Sequence, residues 1–337
     1  MTRHHVLRHR IVCSLPIACA LLPPTASALD WGIQPRLDAG GMFYSLDIKS
    51  DVGQLTGIPL TNELVLLGGQ VLQRPKLKPI EAVMPLVAGG VTVFADRVFL
   101  DLSAQGAFAG EDDFIDSTTS SPIDSTSSTR KTTASTDLDR QEYAVSAGMQ
   151  VTETIAFFGG YKFGRTNFDN IKITDTFKNI PISDEQGTIF GFLDVEDRYT
   201  FDNRFDQDGF FFGGAMGTEV GGAGFLSLKV AIAFLSGEMS ITGQDELRGT
   251  ANFLEAGPIE FSDTASIDNT IKGDTTGVNV GLSWNGAIPQ VKGLSYTLSV
   301  DGYRYEFDGT FNSAPGFTPP SFAETVARFT AGVAYAF

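Results

Sequence analysis

Two acidic clusters, Glu111-Asp112-Asp113 and Asp194 with Glu196 and Asp197, come nearest in this chain to residues whose types and spacing could do catalytic chemistry. Paired carboxylates can share a proton and activate water. A base that works near neutral pH is more readily an imidazole, and the three histidines, His4, His5 and His9, all lie at the extreme N-terminus. The acid-rich run from Asp194 to Asp208 could offer oxygen ligands to Ca²⁺, but it has neither the spacing nor the turn glycine of an EF-hand loop. GGAG (Gly221 to Gly224) and the other glycine pairs make no nucleotide loop, because no P-loop or G-x-G-x-x-G precedes a helix. The expectation is therefore solvated acidic faces, with no catalytic residue, no metal and no cofactor.

The N-terminal residues have a different logic. Arg3, Arg8 and Arg10 precede the apolar run IVCSLPIACALL, a PP pair and Ala26-Ser27-Ala28. That order reads as a cleaved secretory signal over residues 1–28, leaving 29–337 as one domain. Cys13 and Cys19 lie inside the signal with the histidines, so the mature chain has neither thiol nor imidazole and forms no disulfide. Loss of three arginines takes the formal charge from −16 to −19. Such a surface repels phosphate, which argues against a nucleic-acid partner. No later segment carries the 18 or more apolar residues of a membrane helix, so a membrane role requires strands.

The elements that must position the acids follow a period of two, which is the mark of strands with one apolar face. QEYAVSAGMQV sets Tyr143, Val145, Ala147, Met149 and Val151 against Glu142, Ser146 and Gln150. RVFLDLSAQGAFA, GFLSLKVAIAF, GVNVGLSWN, LSYTLSVD and the closing segment up to Phe337 alternate in the same way. Blurrier segments begin at Leu37, Met84, Ile155 and Gly209, which brings the total to ten. Short links (ADR, TET, GGAG, GAIPQVK) alternate with five long polar stretches: 49–83, 110–140, 165–208, 237–270 and 306–321. This predicts an all-β closed antiparallel transmembrane barrel of about ten strands, with both chain ends at the short-turn side and the last strand closing against the segment from Leu37. NELVLLGGQVLQ (Asn62 to Gln73) reads as a loop segment folded over the rim or into the lumen, with a twelve-stranded barrel as the alternative, and hairpins that rise above the membrane are expected within KITDTF (Lys172 to Phe177) and TIFGFLDV (Thr188 to Val195). The Ser/Thr/Asp-rich stretch from Glu111 to Arg140 reads as a mobile loop.

If the apolar faces meet lipid, Asp101, Glu142, Lys162, Glu219, Lys229, Asp301, Glu324 and Arg328 line the lumen. Together they could plug a narrow barrel or line a polar path. Arg74, Lys76 and Lys78 fall at two-residue spacing, so an extended backbone points all three one way, towards lipopolysaccharide phosphates.

The signal, the alternating strands, the alternating link lengths and a terminal Phe preceded at two-residue intervals by Tyr335, Val333, Ala331 and Phe329 resemble the Gram-negative outer-membrane β-barrel class. The resemblance implies short periplasmic turns, long extracellular loops and a location in the bacterial outer membrane. It further implies recognition of Phe329, Val333, Tyr335 and Phe337 as an assembly signal by periplasmic chaperones and the barrel-assembly machinery. The function it implies is a narrow porin-like channel in a monomer. The rival is a non-conducting structural or adhesion-type barrel acting through its loops, and a carboxylate hydrolase is a further alternative.

Overall fold

The computed structural model describes residues 31–48, 63–65, 71–73, 78–123, 126–183, 188–221, 224–310 and 321–337. Residues 1–28, the signal expected from sequence, lie outside them, as do Arg74 and Lys76.

The first strand, β1 (Gly32–Ile48), is followed by two short ones, β2 (Glu63–Val65) and β3 (Val71–Gln73). These two pair as a small separate sheet, so neither adds a strand to the main one. The chain continues through β4 (Ile80–Ala95), β5 (Val98–Ile123), β6 (Thr126–Gln150), β7 (Ile155–Ser183) and β8 (Ile189–Val220). It ends through β9 (Gly224–Phe253), β10 (Gly257–Ala287), β11 (Leu294–Thr310) and β12 (Ser321–Tyr335). β1 and β4 to β12, ten strands, close into one antiparallel ring. Closure is made by β1 against β12, in register from Arg36↔Ala334 to Ile48↔Phe322 and including Leu37↔Val333. Gly40 allows this seam to form, because a Cβ there would run into the carbonyl oxygen of Phe329 on β12.

Alternation sorts every strand into two faces. Outward on β8 stand Phe210, Phe212 and Met216, on β9 Leu228, Val230, Ile232 and Phe234, and on β10 Val278, Val280 and Leu282, all exposed. So much exposed apolar surface, arranged as a belt round a closed ring, is the outside of a barrel solvated by lipid. The start of β1 and the C-terminal residue lie together at the short-turn edge of this belt, where the backbone amide of Phe337 donates to the carbonyl of Ile33 at 3.1 Å.

The long links differ from the expectation. A membrane needs only about ten strand residues, yet β7, β8, β9 and β10 have 29, 32, 30 and 31. Most of the polar stretches expected to be loops are continuations of these strands, paired to each other well beyond the belt. The described part of the Ser/Thr/Asp-rich stretch is paired strand, not loop, because β5 and β6 stay paired out to Ile123↔Thr126. Backbone hydrogen bonding along a ladder needs no apolar side chain, so Thr- and Asp-rich sequence can be strand when a neighbour supplies the partner groups. By contrast β1, β4, β11 and β12 have 17, 16, 17 and 15 residues and stop early. The ring therefore closes only in its lower part. Above it β5 to β10 rise as a six-stranded sheet whose two edges pair with no other strand among the described residues.

Candidate functional site

At mid-height the inward faces of the ring strands bring charged side chains into contact. Glu142 on β6 accepts from Lys162 of β7 at 2.9 Å and from the Tyr303 hydroxyl of β11 at 2.9 Å. Arg140, one strand repeat above Glu142, donates to Tyr303 at 2.8 Å and pairs with Glu324 of β12 and with Thr166. Gln207 of β8 donates to the second oxygen of Glu324 at 3.1 Å. Arg328 of β12 pairs with Asp301 and Gln105 and lies 3.8 Å from Glu142. Lys229 of β9 lies 3.9 Å from Asp301. Lys162 also sits over the rings of Tyr303 and Tyr305, 4.4 and 4.7 Å from their centroids. Lower down, Arg36 of β1 makes a bidentate pair with Asp101 of β5 at 2.7 and 3.0 Å, and Thr92 of β4 donates to the same carboxylate at 2.6 Å. Gly90 makes room for it, since a Cβ there would lie 2.6 Å from an Arg36 guanidinium nitrogen.

Nearly all of these groups are buried, so their charges survive only because each is met by an opposite charge or a donor. Apolar layers enclose the network. Above it Phe205, Phe307 and Phe322 pack with centroids 4.8 to 5.2 Å apart, beside Tyr44 and Phe168. Higher still Ile173, Phe201, Met239, Ile241 and Ile271 fill the inside. Below, Phe158, Phe211 and Phe225 are buried at the short-turn end. The interior is a packed plug of ion pairs between two aromatic layers.

Of the lumen residues expected from sequence, Asp101, Glu142, Lys162, Lys229, Asp301, Glu324 and Arg328 meet in this plug. Glu219 does not. It has the inward parity of β8 but lies one residue from the end of the strand, and the short-turn rim leaves it exposed to solvent. Arg36, Arg140 and Tyr303 belong to the plug as well, although the clear apolar alternation breaks off before it reaches them. Counting back by two from Glu142 reaches Arg140, and counting on by two from Asp301 reaches Tyr303, so the alternation itself held the signal. Phe329, Val333, Tyr335 and Phe337 stand on the outward face of the closing segment. Lys78 is exposed just before β4.

A second polar cluster lies far above the belt, on the inner face of the projecting sheet. Arg130 of β6 holds Asp175 of β7 at 2.6 Å. Next to it Asp197 of β8 accepts a hydrogen bond from Tyr199 and faces the Asp245 carboxyl of β9. Burial and the Asp245 and Asp175 charges push the Asp197 carboxyl up to about 7 against the pull of Tyr199. The other two acids of its sequence cluster face outward: Asp194 accepts the Asn179 amide at 2.7 Å and Glu196 pairs with Arg198. Asp112 accepts the backbone amide of Glu81 at 2.9 Å. Among the described residues no three acids gather as a metal site.

No protein-family model matches the sequence, and no curated protein matches it. Similar solved structures include the outer membrane protease OmpT from Escherichia coli, at 10% identity and a TM-score of 0.44 over 92% of this chain and 99% of that one. A Pseudomonas aeruginosa FadL homologue is similar at 9% identity and a TM-score of 0.27, covering 90% of each chain. The P. putida toluene transporter TodX is similar at 10% and 0.29, covering 92% of this chain and 90% of that one. Nothing about activity or transport follows from likenesses at this level.

Proposed function

We propose that this chain is an outer-membrane barrel with an occluded lumen, whose working part is the strand sheet that projects outside the cell. The observation that carries this reading is the plug: Arg140, Glu142, Lys162, Asp301, Glu324 and Arg328 are buried against one another between two aromatic layers. A water-filled path needs charges that face solvent, whereas these face each other. The porin-like channel loses its support at that point, although inward Ser103, Ser146, Ser227 and Ser283 keep the lower lumen polar. Single-channel recording is the test, and resolvable current steps would contradict the reading.

In this reading residues 1–28 are an export signal and the apolar belt meets lipid. Phe329, Val333, Tyr335 and Phe337 are read by chaperones and the assembly machinery. Lys78, with Arg74 and Lys76, meets lipopolysaccharide phosphates, and the protein acts as a monomer. The barrel itself is not catalytic. One observation favours a second reading, hydrolysis by a carboxylate pair: Asp197, raised to about 7, faces the Asp245 carboxyl. It requires activity on peptide or lipid substrates that Asp197→Asn abolishes.

A further inference from the structure

β10 is paired to β9 along its length, without a register break from Gly257↔Phe253 to Asn285↔Phe225. On its other side β11 joins only at Lys272↔Thr310 and continues to Ala287↔Ser295. Among the described residues nothing pairs the outer edge of Gly257 to Ile271. Every residue from Pro258 to Ser266 is exposed, so nothing among them covers that edge.

An unpaired edge offers a row of amide donors and carbonyl acceptors, and exposed edges are ordinarily blunted by bulges, lysines or prolines. Here Pro258 stands at the far tip and the blunting charges are all acidic, Glu260, Asp263 and Asp268, while the unbroken register shows no bulge, so the edge is closed to acidic strands and left open to basic ones. The two faces of the edge differ in chemistry. Ile259, Phe261, Ala265 and Ile267 stand on the inner face, interrupted by Asp263, with Ile259 54% exposed. Glu260, Ser262, Thr264, Ser266 and Asp268 alternate on the outer face. A groove of about 690 Å³ adjoins that outer face, where Glu260 and Ser262 meet Asp194, Glu196, Glu246 and Arg248. Arg248 is held by Glu246 within it.

From this we infer that the free upper edge of β10 is a docking site for an extended polypeptide segment in which apolar and basic residues alternate. Such a segment adds a strand through its backbone. Its apolar side chains lie beside Ile259, Phe261 and Ile267, and its basic side chains lie beside Glu260 and Asp268 and above the groove. Cross-strand pairs of this kind stabilise a ladder, and like charges directly opposite oppose it. That rule disfavours a second copy of this chain, because antiparallel self-pairing centred on Thr264 sets Glu260 opposite Asp268. The formal charge of the chain, −16, draws a cationic segment to the site at long range.

This inference rests on the reading of the projecting sheet as the working part of the molecule. The test uses the full-length protein, folded in detergent micelles, and a fluorescent nine-residue peptide of alternating Lys and Val, followed by anisotropy. The expected result is saturable binding that weakens with added salt, is lost when alternate peptide amides are N-methylated, and falls about tenfold in the Glu260→Lys, Asp268→Lys double variant. Absence of binding, equal binding of the N-methylated peptide or of an alternating Glu/Val peptide, or an unchanged affinity in the double variant would each overturn it. The N-methylated and Glu/Val peptides are compared on the unmutated chain, so the test stands even where the double variant does not fold. A barrel that conducts current and still binds the peptide would sink the occluded-lumen reading and leave the docking site standing.

Discussion

Glu142 is the residue on which the interior converges, since Lys162, Arg140, Arg328 and Tyr303 all reach it. Replacing it by alanine leaves buried cations without their counter-charge, a change that costs about 3–5 kcal/mol in comparable sites. Glu142→Ala should lower the stability of the folded barrel by that order, read from urea unfolding in lipid vesicles, and an unchanged midpoint would show that the pairs do not matter energetically. Asp197 responds to pH. Between the ordinary carboxyl value of 3.8 and about 7 the folded sheet holds a proton that the unfolded chain has released. Its contribution to stability is therefore complete below that window and is lost as the pH rises through it. Amide exchange along β8 near Asp197, corrected for intrinsic rates, should be better protected at pH 5 than at pH 8, and Asp197→Asn should flatten the difference. Equal protection at both pH values in the parent chain would contradict the assignment.

At the scale of elements, the seam between β1 and β12 and the unequal lengths of the strands decide the architecture. A side chain at position 40 cannot coexist with the Phe329 carbonyl in the present register. Gly40→Val should therefore abolish the compact, heat-modifiable species on an unboiled gel, and a normal gel shift would mean that the seam pairs differently. The same elements show where the sequence was readable. Strands crossing the belt were legible because lipid demands an apolar residue at every second position, as at Leu226, Leu228, Val230 and Ile232 in β9. Of their continuations only Lys172 to Phe177 and Thr188 to Val195 showed as hairpin strands, because above the belt both faces can be polar: Asp194 to Asp208 carries Thr, Asp and Arg with Phe only at intervals. Pairing with β7 and β9, not hydrophobic period, keeps that stretch extended. Arg140 was lost for the same reason, since it stands where the apolar period ends and the ladder continues.

For the whole molecule, ten strands enclose an interior small enough for side chains to fill, and here they fill it with paired charges capped by aromatic layers. The strand count, the closure and the face of most buried charges could be read from the sequence, because period and link length are local. Whether the charges pair or line a path could not. That depends on which residues of distant strands meet, such as Arg140 with Glu324 across the barrel. On the proposed reading, a filled barrel beneath a projecting sheet passes no small solutes, and its partners meet it above the membrane. Recording from the purified protein in a planar bilayer bears on this without an intermediate step. Insertion should leave the baseline conductance unchanged at any applied voltage that the bilayer tolerates; discrete, reproducible current steps from the unmutated chain would contradict an occluded lumen.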